Sequence, residues 1–244
     1  MSMFCYQCQE AAQGTGCTVK GVCGKTDEVS NLQDLLVYVS KGVSIFGDIA
    51  EQNKIDHKEA DKFVFEAMFI TITNANFDDS AIIEKIHEGL KVRDKLKEKL
   101  LNNSVSLPAN LAEQTEWIAG TSAEIIMKSL TVGVLNEENE DIRSLKELLV
   151  YGVKGICAYA MHAENLGFTN KDIFRFIHKA LRKSTENEIS ADELIDLNME
   201  CGKCGVEVMA LLEKANTESY GHPEITKVNL GVRNNPDILV SGHD

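Results

Sequence analysis

From about residue 30 onward the chain alternates apolar and polar positions with the period of a helix. Leu32, Leu35, Leu36, Val39, Val43, Phe46 and Ile49 recur three and four residues apart, which places them in one stripe facing a core. The same rhythm predicts further helices over about 57–75, 79–102, 111–130, 140–166, 170–184 and 190–217. Asp79-Ser80 opens one of them, and Ser190-Ala191-Asp192-Glu193 has the form of a capping box at the start of the last. Residues 91–103, KVRDKLKEKLLNN, alternate in charge and read as a solvated helix face. Residues 1–27 lack the period. There Gly14, Gly16, Gly21 and Gly24 interleave with cysteines, as in a loop whose backbone wraps tightly around something.

A repeat runs through the helices. Residues 32–51, LQDLLVYVSKGVSIFGDIAE, align without a gap on residues 145–164, LKELLVYGVKGICAYAMHAE, at an offset of 113. The offset continues to Phe63-Val64 against Phe176-Ile177 and to Ile82 against Ile195. The expected fold is therefore mainly α: a helical domain over 28–219 made of two duplicated three-helix bundles, at about 28–110 and 140–219, preceded by a Cys-rich loop over 1–27. In the last stretch, 220–244, Gly221 and Pro223 end the final helix. Residues 226–230 suit a short strand, and 237–240 a buried strand running into a turn. A lone buried strand needs neighbours for its backbone donors and acceptors. Residues 220–244 are thus expected to be a linker and first strand of an α/β domain, and the chain the amino-terminal piece of a longer protein.

Composition narrows the function. Twenty-five basic against 38 acidic residues give a net charge of −13, which repels phosphate backbones and anionic lipid, so neither nucleic acid nor membrane is an expected partner. No run approaches the roughly 18–20 apolar residues of a membrane span, and Met1-Ser2-Met3-Phe4-Cys5 lacks the features of a secretion signal, so a cytoplasmic location is expected. In a reducing compartment the seven cysteines argue for metal chemistry rather than disulfides. The chain carries no phosphate loop, GxSxG, HExxH or dinucleotide fingerprint.

Four of the seven cysteines, Cys5, Cys8, Cys17 and Cys23, fall in one loop with spacing C-x2-C-x8-C-x5-C. Four soft thiolates suit tetrahedral zinc or a cubane iron–sulfur cluster. Zinc folds usually pair two short knuckles, and here the second pair is spread out among glycines, which favours the cluster. Zinc and a purely structural thiol group stay open on spacing alone.

The segment MFCYQCQEAAQGTGCTVKGVCGK resembles the start of the hybrid cluster proteins, also called prismane proteins or hydroxylamine reductases. The resemblance continues through LLVYVSKGVSIFGDIA, LLVYGVKGICAYAMHAENLGF, LLEKANTESYGHPEITKVNLGVRNNP and the closing ILVSGHD. It implies that Cys5, Cys8, Cys17 and Cys23 bind a [4Fe-4S] cluster in a domain of two three-helix bundles. It implies α/β domains beyond this chain that hold a hybrid [4Fe-2O-2S] cluster, where hydroxylamine or nitric oxide is reduced with electrons from a redox donor protein. His243 of the SGHD motif is the one ligand of that second cluster expected within these 244 residues. The whole protein is then expected to be an enzyme, and this chain its electron-relay portion without a complete catalytic site. The alternatives are a stand-alone single-cluster electron-transfer or interaction module, and a zinc-stapled helical scaffold. An orphan strand and an exposed interdomain face favour dimerisation or aggregation of the piece.

The remaining candidates have plainer readings. Cys201 and Cys204 form a CxxC inside a predicted helix and read as helix-face residues, and Cys157 as a small core residue. His162 and Glu164 are too few for a metal site. His57, His87 and His178 show no partner spacing and read as ordinary histidines, and His222 as a turn residue. Lys25, beside Cys23, is expected to help balance a cluster's negative charge.

Overall fold

The computed structural model describes residues 3–73, 76–227, 231 and 234. Seven α-helices are found among them: α1 (Asp27–Gln52), α2 (Lys58–Thr73), α3 (Asp79–Asn102), α4 (Ser122–Ser129), α5 (Glu140–Asn165), α6 (Lys171–Lys183) and α7 (Ala191–Tyr220). No strand occurs among the described residues, where one isolated antiparallel bridge joins Cys5 to Cys17.

The helix starts are chemically marked. The Thr26 hydroxyl accepts the Val29 N–H, and Asp27 and Glu28 sit in the first turn, where the helix dipole favours anions. Asp78, Asn139, Asn170 and Ser190 cap α3, α5, α6 and α7 in the same way. Helix α7 stops at Gly221, whose φ of 82° suits a residue without a Cβ. Helix α1 is the spine. Leu32, Leu35, Leu36, Val39, Val43 and Phe46 are fully buried in it, each contributing about 1.5–3 kcal/mol of apolar burial. It packs along α3 and across α2 and α6, while α5 packs along α7 and across α2 and α6.

Two expectations are corrected. The periodicity over 111–130 does not give one helix: a 3-10 turn (Glu113–Thr115) and the short α4 are separated by irregular chain. The carbonyls of Gln114 and Trp117 are taken by the Arg93 guanidinium at 3.0 and 2.5 Å instead of by helical N–H groups. Thr121 and Glu124 then form a reciprocal capping box that restarts the chain. Arg93 is also the exception within the charged run of α3, being 1% exposed rather than solvated.

Helix α7 runs three residues past the expected end. Residues 226 and 227 have no regular structure, and the rest of the expected strand at 226–230 lies outside the described residues, as do the strand at 237–240 and His243.

Candidate functional site

The cysteine loop folds back on the start of α1. Cys5 and Cys17 face each other across the chain, each N–H donating to the other's carbonyl at 2.9 Å. Residues in such a hydrogen-bonded pair send their side chains to the same side, so both thiols leave the backbone together. Both are buried, at 6% and 4% exposure, while Cys8 is half-buried and Cys23 exposed. Two glycines make the wrap possible. Gly16 has φ 124°, and a Cβ there would lie 2.7 Å from the Phe4 ring. A Cβ on Gly21 would lie 3.1 Å from the Cys23 sulfur and 2.9 Å from Lys25 Cβ.

The loop presents donors to sulfur. The Ala12 N–H points at Cys17 Sγ at 3.3 Å. Lys25, expected beside Cys23, is instead turned inward: it is 1% exposed, and its ammonium donates to Gln33 Oε1 at 2.5 Å and lies 3.9 Å from Cys5 Sγ. A buried ammonium and a backbone N–H aimed at sulfur are the donors that suit the negative charge of a metal-bound sulfur.

Behind the loop lies a polar seam that the sequence reading did not single out as a site. Gln7 Nε2 donates to Asp34 Oδ1 at 2.6 Å, tying the cysteine loop to α1. Asp34, Lys41, Glu147 and Lys154 line a cavity of about 250 Å³ between α1 and α5. Burial raises Asp34 to about 7, against the pull of Lys154, and lowers Lys154 to about 8, against the pulls of Glu147 and Asp34. Lys41 is lowered by burial too. At the offset of 113, Asp34 corresponds to Glu147 and Lys41 to Lys154, so charged pairs recurring inside otherwise apolar helices were the available signal.

The other cysteines lie elsewhere. Cys157 on α5 and Cys201 and Cys204 on α7 are buried in the apolar core. Burial pushes Cys201 up to about 11 and Cys204 to about 12, and raises Cys157 further, so all three stay protonated at neutral pH. His57 and His178, read from sequence as unrelated, meet: His178 Nε2 lies 2.8 Å and His57 Nε2 3.4 Å from Asp61 Oδ1. Among the described residues these three offer the group of donor atoms within 4.8 Å of one another that suits a single ion. Among the described residues the loop thiols do not form such a group. His162 packs edge-on against Phe69, and no described helix is long and apolar enough to cross a membrane.

Known proteins share this sequence. The hydroxylamine reductase of Desulfitobacterium hafniense (strain DSM 10664 / DCB-2) is 56% identical over all 244 residues, which cover 44% of its length. Those of Clostridium novyi and Bacteroides thetaiotaomicron are 55% and 54% identical over the same span, again 44% of each relative. The chain thus spans less than half the length of these relatives. A family model described as Prismane/CO dehydrogenase matches residues 3–244, and with the whole described fold inside that match the chain belongs to the Prismane/CO dehydrogenase family.

Proposed function

We propose that Cys5, Cys8, Cys17 and Cys23 hold a [4Fe-4S] cluster and that this chain is the electron-relay portion of an iron–sulfur oxidoreductase. The observation that carries the reading is the pairing of Cys5 with Cys17, with the Lys25 ammonium at one sulfur and the Ala12 N–H at the other. The residues fit such a group: soft ligands, a glycine-rich wrap and donors aimed at sulfur. When bound, the group supplies one-electron transfer.

The chain's own residues set the conditions. Lys25 places a positive charge where negative charge accumulates on reduction, which favours the reduced form. The Ala12 N–H acts in the same direction. Gln7 links the loop to the Asp34–Lys154 seam, so the charge state of that seam acts on the same potential. The two bundles over about 28–110 and 140–219 arose by duplication of one three-helix unit in this reading. The corresponding packing of α1 with α3 and of α5 with α7 supports it.

The relatives' name, hydroxylamine reductase, supports reduction of hydroxylamine as the whole protein's reaction, with nitric oxide the other substrate that the family resemblance implies. The catalytic site would lie in α/β domains beyond these residues, around a hybrid [4Fe-2O-2S] cluster with His243 among its ligands. The 244 residues alone then transfer electrons without reducing substrate, in the cytoplasm and with a redox protein as donor. Iron, acid-labile sulfide and zinc per chain, measured on anaerobically purified protein, test this. About four iron and four sulfide are expected. Zinc without sulfide would leave a stapled scaffold instead.

A further inference from the structure

We propose that His57, Asp61 and His178 form a binding site for one divalent first-row transition-metal ion, of the zinc type, that clamps the start of α2 to α6. His57 immediately precedes α2, Asp61 lies in its first turn, and His178 comes from α6, 117 residues further on. The donor separations of 2.8 and 3.4 Å bracket the roughly 3.3 Å edge of a tetrahedron with metal–ligand bonds near 2.0–2.1 Å. Two imidazoles and a carboxylate are a borderline-soft set that suits zinc and its neighbours rather than magnesium or calcium.

The hydrogen-bond geometry leaves lone pairs facing one point. His57 Nδ1 lies 2.8 Å from the Ile55 carbonyl, which can only accept, so Nδ1 carries the proton. In the neutral ring Nε2 is then a bare lone pair. It faces Asp61 Oδ1 at 3.4 Å and Glu51 Oε2 at 3.8 Å, both acceptors. A metal ion placed among these lone pairs would be bound by them. The Ile55 carbonyl is the outer partner that metal-bound histidines commonly have. Arg175 holds the other oxygen of Glu51 at 3.0 Å, so Glu51 stands beside the three-residue donor group, outside it.

His178 is fully buried, and its Nδ1 has no hydrogen-bond partner. It lies against Gly47, where a Cβ would come within 2.5 Å of that nitrogen. With Nε2–H donating to Asp61, Nδ1 is an orphan acceptor. Coordination through Nε2 moves the proton to Nδ1 and makes it an orphan donor, so binding loses no partner on that side of the ring. The side chains of His57, Asp61 and Glu51 are 11%, 16% and 32% exposed, which gives an ion its route from solvent.

A second contact in the same interface shows that packing alone does not need these groups. At the offset of 113, Asp61 corresponds to Phe174 and His178 to Phe65. Those two phenylalanines also touch, with ring centroids 5.8 Å apart. One end of the α2–α6 interface is thus closed by an aromatic pair, and the other by a histidine–aspartate pair with a second histidine converging on it.

The test uses the cluster-loaded chain, dialysed anaerobically against micromolar free zinc, with iron measured on the same sample so that vacant cysteines are recognised. One zinc per chain is expected, with only nitrogen and oxygen neighbours in its K-edge absorption spectrum, and with a raised thermal midpoint. His57→Gln and Asp61→Asn should each weaken zinc binding at least about tenfold and abolish the zinc-dependent rise in midpoint. His57→Gln touches a partly exposed side chain ahead of the helix, so it decides the matter if Asp61→Asn fails to fold. Absence of bound zinc would overturn the site. Sulfur neighbours around the zinc, or undiminished binding in His57→Gln, would overturn it as well.

Discussion

The amino-terminal cysteine loop and the cysteine patch between α5 and α7 use the same side chain to opposite ends. In the loop, Cys5 has an ammonium beside its sulfur and Cys17 has a backbone N–H aimed at its own. In the patch, Cys157, Cys201 and Cys204 sit among apolar side chains, and burial keeps each thiol protonated. A CxxC pair occurs in both regions, so spacing alone does not separate them. Surroundings do: a helix interior satisfies its own backbone and offers sulfur no donors, whereas a loop turns its N–H groups toward whatever it encloses.

The largest effect that would break this contrast is on cluster content. Cys17→Ser should remove nearly all iron and sulfide from the purified chain, whereas Cys201→Ser should leave both at wild-type levels. Loss of iron in Cys201→Ser would erase the distinction. Stability should respond in the opposite sense. Cys157→Ser puts a hydroxyl at a site with no exposed surface and should cost about 1–3 kcal/mol in denaturant unfolding, with iron per chain unchanged.

The seam behind the loop gives a smaller, pH-dependent effect. Asp34 faces Lys154, Glu147, Lys25 and the Gln7 amide, and its folded pKa of about 7 stands above the ordinary 3.8. The native state therefore keeps a proton that the unfolded chain gives up, and stability falls as pH rises from about 4 to 7. Asp34→Asn removes that slope, so its thermal midpoint relative to wild type should climb between pH 5 and pH 8. A constant difference would show that the carboxylate does not titrate in that window. The smallest change expected is electrochemical. Lys25→Met removes a buried positive charge near Cys5 and should make the reduction potential more negative, without altering iron content. An unchanged potential would remove Lys25 from the account.

Much of the fold was legible because the helices obey strong local rules. The stripe of α1, the Ser190 capping box and the glycine stop after α7 all act within a few residues, and each appears where the sequence puts it. The stretch over 111–130 misled because its carbonyls are claimed by Arg93 from a distant helix, a tertiary bond that no local pattern announces. At the site, the four loop cysteines could be picked out by their clustering. The inward turn of Lys25 toward Gln33 could not, since it depends on how the loop docks on α1. The meeting of His57 with His178 was invisible for the same reason: it joins segments far apart in the chain, and only the four-residue spacing of His57 and Asp61 hinted at one half of it.

The central claim is that the loop cysteines hold one four-iron cluster. A Mössbauer spectrum of the chain reconstituted with iron-57 tests it most directly. Essentially all bound iron should appear as one diamagnetic cubane, and this component should vanish in Cys17→Ser. Iron found as a mononuclear tetrathiolate or a two-iron centre, or a cubane that persists in Cys17→Ser, would contradict it.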